Sequence, residues 1–273
     1  MYTRKAVVAG AFYPANRTEL ITLIDSYMQK VLDKPLDKNI FAVISPHAGY
    51  VYSGSIAAHA FNQLRGKDID VAIVLAPSHR ARFDGASVIP EGTYETPIDN
   101  VSIDSQIGKK LENAKRFQFI SQVHEAEHSL EVQVPFLQTV APGCSIVPII
   151  IGTVEISVLQ EIADSIYDAI KSEKRNIKII ISTDLSHYHP YEKAKTIDLH
   201  FIDKLKEYDY KTLSDVCNTG EAEACGVGPV IAGLLLCEKM GANTVDILHY
   251  ANSGDTAGSK SQVVGYVSAA ITG

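Results

Sequence analysis

The sequence predicts one α/β domain over residues 1–273, with a mostly parallel central sheet and helices on both faces. Three observations carry this expectation. Four short runs are nearly all apolar: FAVIS (41–45), DVAIVLA (70–76), SIVPIIIG (145–152) and IKIIIS (177–182). Strands covered on both faces read this way, because neither row of side chains meets water. Longer stretches with helical apolar spacing alternate with these runs, as parallel strands joined by crossover helices require. No Ser/Gly/Pro-rich linker, low-complexity tract or fixed-period repeat divides the chain.

In chain order, AVVAGAF (6–12) imitates the apolar part of a leader, but it is short and FYPANR (12–17) follows it in place of a small-residue cleavage site. The strand at 41–45 feeds a small-residue helix at 53–64, and the strand at 70–76 follows. Pro90, Gly92 and Pro97 mark 81–105 as a hairpin or excursion at one sheet edge. Helical spacing recurs at 129–140, 157–173, 194–208 and 228–240, around the strands at 145–152 and 177–182. Two late strands, TVDILHY (244–250) and VVGYVSAAI (263–271), close the chain.

Composition bounds the function. Hydrophobic residues make up 46% and charged residues 21%, ample for a sizeable core in a globular protein. A net charge of −7 argues against nucleic acid or an anionic membrane as main partner. No apolar stretch approaches the ~20 residues a membrane helix needs. Cys144, Cys217, Cys225 and Cys237 form no CxxC pair, so a reducing cytoplasm is expected.

The strand ends hold the chemistry. FAVIS runs into Pro46-His47, DVAIVLA into Pro77-Ser78-His79, and IKIIIS into Thr183-Asp184-Leu185-Ser186-His187. In open α/β sheets ligands bind beyond the carboxyl ends of the strands, so these histidines can meet although they lie far apart in sequence. Each alone reads more readily as a satisfied loop residue; three at equivalent positions favour a site. Two imidazoles plus a third donor make an open transition-metal site. Cys225, in ACGVGP before an apolar helix, is the best sulfur donor, since a helix N-terminus favours the thiolate. A buried small hydrophobe is its plain alternative.

His124-Glu125-Ala126-Glu127-His128 matches the zinc-protease pattern H-E-x-x-H. The charged Glu127, and Ser129 read as an N-cap, argue against it. His128 and Glu131 are read as lining or bracing a site at a loop–helix junction, and His124 as part of a solvated loop. Tyr50, Tyr52 and Tyr188 are candidate pocket walls. His59 and His249 are read as structural.

RKAVVAGAFYPAN, SPHAGYVYSGSIAAHAF, APSHR, YETPIDNVSID, EHSLEVQVPFL, STDLSHY and ACGVGP follow one another from end to end. Together they resemble the Memo family, whose prokaryotic members are often called AmmeMemoRadiSam system protein B. The resemblance implies a fold similar to class III extradiol ring-cleavage dioxygenases, which use non-haem Fe(II). It implies His47, His79 and Cys225 at the metal position, with Asp184 and His187 beside it; His187 is expected to move protons, and Asp184 to orient it. A thiolate in the third place shifts preference toward Cu(I) or other thiophilic metals. Fe(II) or Cu is the expected cofactor, and a redox protein acting on a small-molecule substrate the expected function. The family also implies a radical-SAM protein and an AMMECR-type protein as partners. Two alternatives stand: a non-catalytic binding module on the same scaffold, and a hydrolase with Cys225 as nucleophile and His187 as base.

Overall fold

The computed structural model describes residues 2–256 and 258–273. The four apolar runs form its centre: Ser145–Ile151, Val71–Pro77, Ile177–Ser182 and Ile40–Ser45 lie side by side in that order, all parallel. The register pairs Ser45 with Ser182 and Leu75 with Ile181, so their carboxyl ends finish at nearly one level. That alignment brings together turns more than a hundred residues apart in sequence.

The sheet is mixed, which corrects the expectation of a mostly parallel one. Val263–Thr272 runs antiparallel to Ile40–Ser45 and also pairs, antiparallel each time, with Thr244–Asn252 and with His187–His189. The physical reason is the connection. Only residues 253–262 separate the two late strands, and a parallel pairing needs a crossover of about a dozen residues or more. At the opposite edge, Gly92–Glu95 and Asn100–Ile103 form the expected antiparallel hairpin, and Thr3–Arg4 adds a parallel strand to it.

Both faces of the sheet are covered. Along Val71–Pro77, Val71, Ile73 and Leu75 enter one apolar cluster while Ala72, Val74 and Ala76 enter the other. Helices Ile156–Ile170, Tyr191–Lys206 and Val227–Lys239 pack on the first face. Arg17–Lys30, Tyr50–Asn62 and Gln133–Val140 pack on the second. The helix Arg17–Lys30 was not anticipated. Its signals are nonetheless local: Asn16 caps the Glu19 N–H, and Leu20, Ile24 and Met28 recur every fourth residue on the buried face.

The single helix expected over 129–140 is two. His128–Glu131 ends before Gln133–Val140 begins, with Val132 between them. Pro135 has no N–H to bond the Glu131 carbonyl, so one continuous helix would lose a rung there. The N-cap of the first piece is Glu127, whose carboxylate accepts the Ser129 N–H at 3.1 Å; Ser129 itself lies inside the helix.

Candidate metal centre

His47 leaves the strand Ile40–Ser45 through Pro46 and is 1% exposed. Its backbone N–H donates to Asp184 Oδ1 at 2.7 Å, and its Nδ1 lies 2.8 Å from Ser182 Oγ. The Ser182 hydroxyl already donates to the Ser129 carbonyl at 2.7 Å and accepts from Gln133 Nε2 at 2.9 Å. Its one proton is therefore spent, and His47 must supply the hydrogen from Nδ1. That leaves the Nε2 lone pair free to serve as a ligand. Burial, and then the neighbouring His79, His128 and His187, hold the His47 pKa well below its ordinary value, so the ring stays neutral.

His79 follows Val71–Pro77. Its N–H donates to Glu127 Oε2 at 2.6 Å, and its Nδ1 sits 2.8 Å from Glu127 Oε1. The same Oε1 lies 3.4 Å from His128 Nδ1. One buried carboxylate thus turns two imidazoles, directing both Nε2 atoms away from itself. Carboxylate–histidine–metal arrangements use this geometry to fix the tautomer and raise ligand basicity. Burial alone would raise the Glu127 pKa, but hydrogen bonding and charge from His79 outweigh it and pull it down to about 2. Burial pushes His128 down to about 4 against the pull of Glu127.

The three rings close on one another. Centroids are 5.1 Å apart for His47 and His79, 5.5 Å for His47 and His128, and 4.6 Å for His79 and His128, the last pair stacked. Among the described residues, His47, His79 and His128 are the one group whose donor atoms all lie within 4.8 Å of each other. Three imidazoles, two with a carboxylate at Nδ1, fit a divalent transition metal with positions left open.

Within donor distance of both His47 and His79 the structure places His128, while Cys225, the expected third donor, lies against His47 alone. Gly226 brings Cys225 close to this site: a Cβ there would lie 2.4 Å from the Ser182 carbonyl, so only glycine lets the turn pack against the strand end. The thiol sits 3.1 Å from His47 Nε2 and accepts the Asp184 N–H at 3.3 Å. Burial, followed by the nearby Asp184, pushes its pKa well up, overriding the helix terminus that was expected to lower it. A protonated Cys225 donates to His47. It has no hydrogen bond to His187, which removes the activated thiolate that the hydrolase reading needs.

Asp184 and His187 share the cleft but not a hydrogen bond. The His187 Nδ1–H donates to the Leu185 carbonyl at 2.7 Å, so backbone, in place of the expected Asp184, orients the ring and exposes its Nε2. Burial raises Asp184 to about 7, although the N–H groups of His47 and Ala48 and the charge of His79 oppose it. A cleft of about 550 Å³ adjoins His128, Asp184 and His187, walled by Phe12, Tyr52 and Tyr188. Tyr188 is 69% exposed and holds φ at +62°, a strained conformation for a non-glycine residue.

Tyr50 does not line this cleft. It is buried, and its hydroxyl donates to the Val132 carbonyl at 2.6 Å. Glu131 is buried one helical turn from His128, where it pairs with Arg4 and accepts the Tyr13 hydroxyl at 2.6 Å. His124, expected in solvent, is buried, with Nε2 3.0 Å from Ser87 Oγ. It lies on Ser121–Glu125 while His128 opens His128–Glu131, so the zinc-protease helix does not form. The residue missed by the sequence reading is Glu127. Its signal was the sequence Glu-His directly before a helix, where a carboxylate caps the helix and meets the adjacent ring.

The model of the family described as "Memo-like protein" matches residues 4–270. The chain belongs to the Memo family. A "MEMO1 family protein" of Sulfolobus acidocaldarius is 37% identical, over 97% of this chain and 98% of the relative. Others from Caldivirga maquilingensis and Desulfurococcus amylolyticus are 34% and 35% identical, over 99% and 97% of this chain and 99% and 98% of theirs. The family match takes in almost the whole chain. Among the described residues no helix is long and apolar enough to cross a membrane.

Proposed function

We propose that this Memo-family chain is a metal-dependent redox protein that binds Fe(II) or Cu through His47, His79 and His128 and acts on a small molecule held in the adjoining cleft. The observation that carries this reading is the convergence of three imidazoles whose Nδ1 atoms face Ser182 and Glu127. A bound metal would supply Lewis acidity and, as iron or copper, one-electron chemistry. His187 accepts a proton at Nε2 from a hydroxyl or water in the cleft, and Asp184, half-protonated near pH 7, holds or returns one beside it. No described residue lining the cleft is Lys or Arg. The substrate is therefore held by stacking on Phe12, Tyr52 and Tyr188 and by hydroxyl contacts, which suits an uncharged ring compound better than a phosphate.

The binding-module alternative rests on Cys225. Its S–H fills the His47 Nε2 lone pair, so that ring is satisfied without any metal. Anaerobic reconstitution followed by elemental analysis separates the two readings. Stoichiometric Fe or Cu, lost in His47→Ala and His128→Ala but kept in Cys225→Ala, supports the centre as drawn. Loss in Cys225→Ala with retention in His128→Ala would restore the thiol as third donor. No uptake by the wild type would leave the binding module.

A further inference from the structure

Arg4 is 1% exposed, and a guanidinium so deeply buried must find partners for its donors. Apart from the adjacent Lys5 carbonyl, it finds them on one stretch of chain. Nε donates to the His124 carbonyl at 2.9 Å, Nη2 to the Glu127 carbonyl at 2.5 Å, and Nη1 to the Glu131 carboxylate. Tyr94 covers the guanidinium face, 5.0 Å from its ring centroid. Glu131 in turn accepts the backbone N–H groups of Val7 and Val8, each at 3.0 Å, and the Tyr13 hydroxyl.

The N-terminal segment therefore straps residues 124–131 from three points. Between those points lie Glu127 and His128, which supply the bracing carboxylate and one donor ring. The strap also touches that ring directly, since Phe12 packs on His128 with centroids 5.0 Å apart. Turning the Glu127 peptide to re-aim either imidazole would break the Arg4 bond to its carbonyl.

We infer that Arg4 is a positioning residue for the metal centre, and that docking of the segment from Arg4 to Tyr13 is coupled to metal occupancy. The inference rests on the reading of His47, His79 and His128 as a metal site. Coupling is reciprocal: if the docked strap improves metal affinity, bound metal must tighten the strap by the same factor. A merely structural arginine would show neither effect.

The test uses the full chain and Co(II), whose visible absorption reports ligand geometry, with a competing chelator to fix affinity. Arg4→Lys keeps the charge opposite Glu131 but loses the fork to the two carbonyls. It is expected to bind Co(II) about 10–100-fold more weakly and with an altered spectrum. Tyr13→Phe removes one bond to Glu131 and should weaken binding less. In the wild type, amide exchange at Val7 and Val8 should slow on addition of Co(II), a measurement that needs no variant to fold. Unchanged affinity in a folded Arg4→Lys protein, or Val7 and Val8 exchange indifferent to Co(II) while the wild type binds it, overturns the coupling alone. Failure of the wild type to bind Co(II) overturns the centre, and the coupling with it.

Discussion

Two pairs of stacked histidines sit in this molecule. His79 and His128 stack at 4.6 Å beside the strand ends, and His59 and His249 stack at 4.4 Å with nearly parallel rings on the helix Tyr50–Asn62 and the strand Thr244–Asn252. The distances are almost equal, but their surroundings differ. The first pair shares the Glu127 carboxylate and has His47 across from it. For the second, no hydrogen bond or ion pair to a carboxylate is found among the described residues, and no third donor joins it. Proximity of imidazoles is thus not ligation; what distinguishes a centre is a buried acceptor that fixes each tautomer and aims the lone pairs at one point.

The comparison breaks most visibly if the first pair does not need its third member. His47→Ala combined with His79→Ala should abolish stoichiometric metal binding, read by elemental analysis after anaerobic loading. Glu127→Gln should sharpen the contrast, because it keeps the shape but gives up the carboxylate's charge. We expect about 10–100-fold weaker affinity, seen by chelator competition. Affinity equal to the wild type would mean that the carboxylate is only a helix cap.

The pH dependence of stability probes the acid beside the first pair. Asp184 has a folded pKa of about 7 against an ordinary value of 3.8. Between those values the folded protein keeps a proton that the unfolded chain has released, so this group's contribution to stability declines as pH rises through that window. In metal-free protein, Asp184→Asn should remove that decline, a slope difference of at most about 1.4 kcal/mol per pH unit. Urea midpoints measured from pH 4 to 7 report it, and parallel curves for the two proteins would contradict it. The smallest effect is expected at the second pair: His59→Ala or His249→Ala should leave metal content unchanged.

Local chemistry made much of this legible. Continuous apolar runs reveal the four central strands because burial on both faces leaves no room for alternation, and the strand-end positions of His47, His79 and His187 follow from the same reading. The antiparallel late strands, the break at Val132 and the helix Arg17–Lys30 each had a cue in turn length, Pro135 or Asn16. Cys225 shows where such cues stop. Its place before a helix argued for a thiolate, but desolvation by the surrounding fold outweighs the helix terminus.

By itself, then, the sequence determined which segments are buried and which histidines stand at strand ends, since both depend on residues close together in the chain. Tertiary structure alone decided that His128 joins His47 and His79 within donor distance, that Glu127 turns two rings, that Leu185 rather than Asp184 orients His187, and that Arg4 straps the loop. Those choices rest on through-space distance and on the depth of burial that sets each group's charge, and no window along the chain contains either.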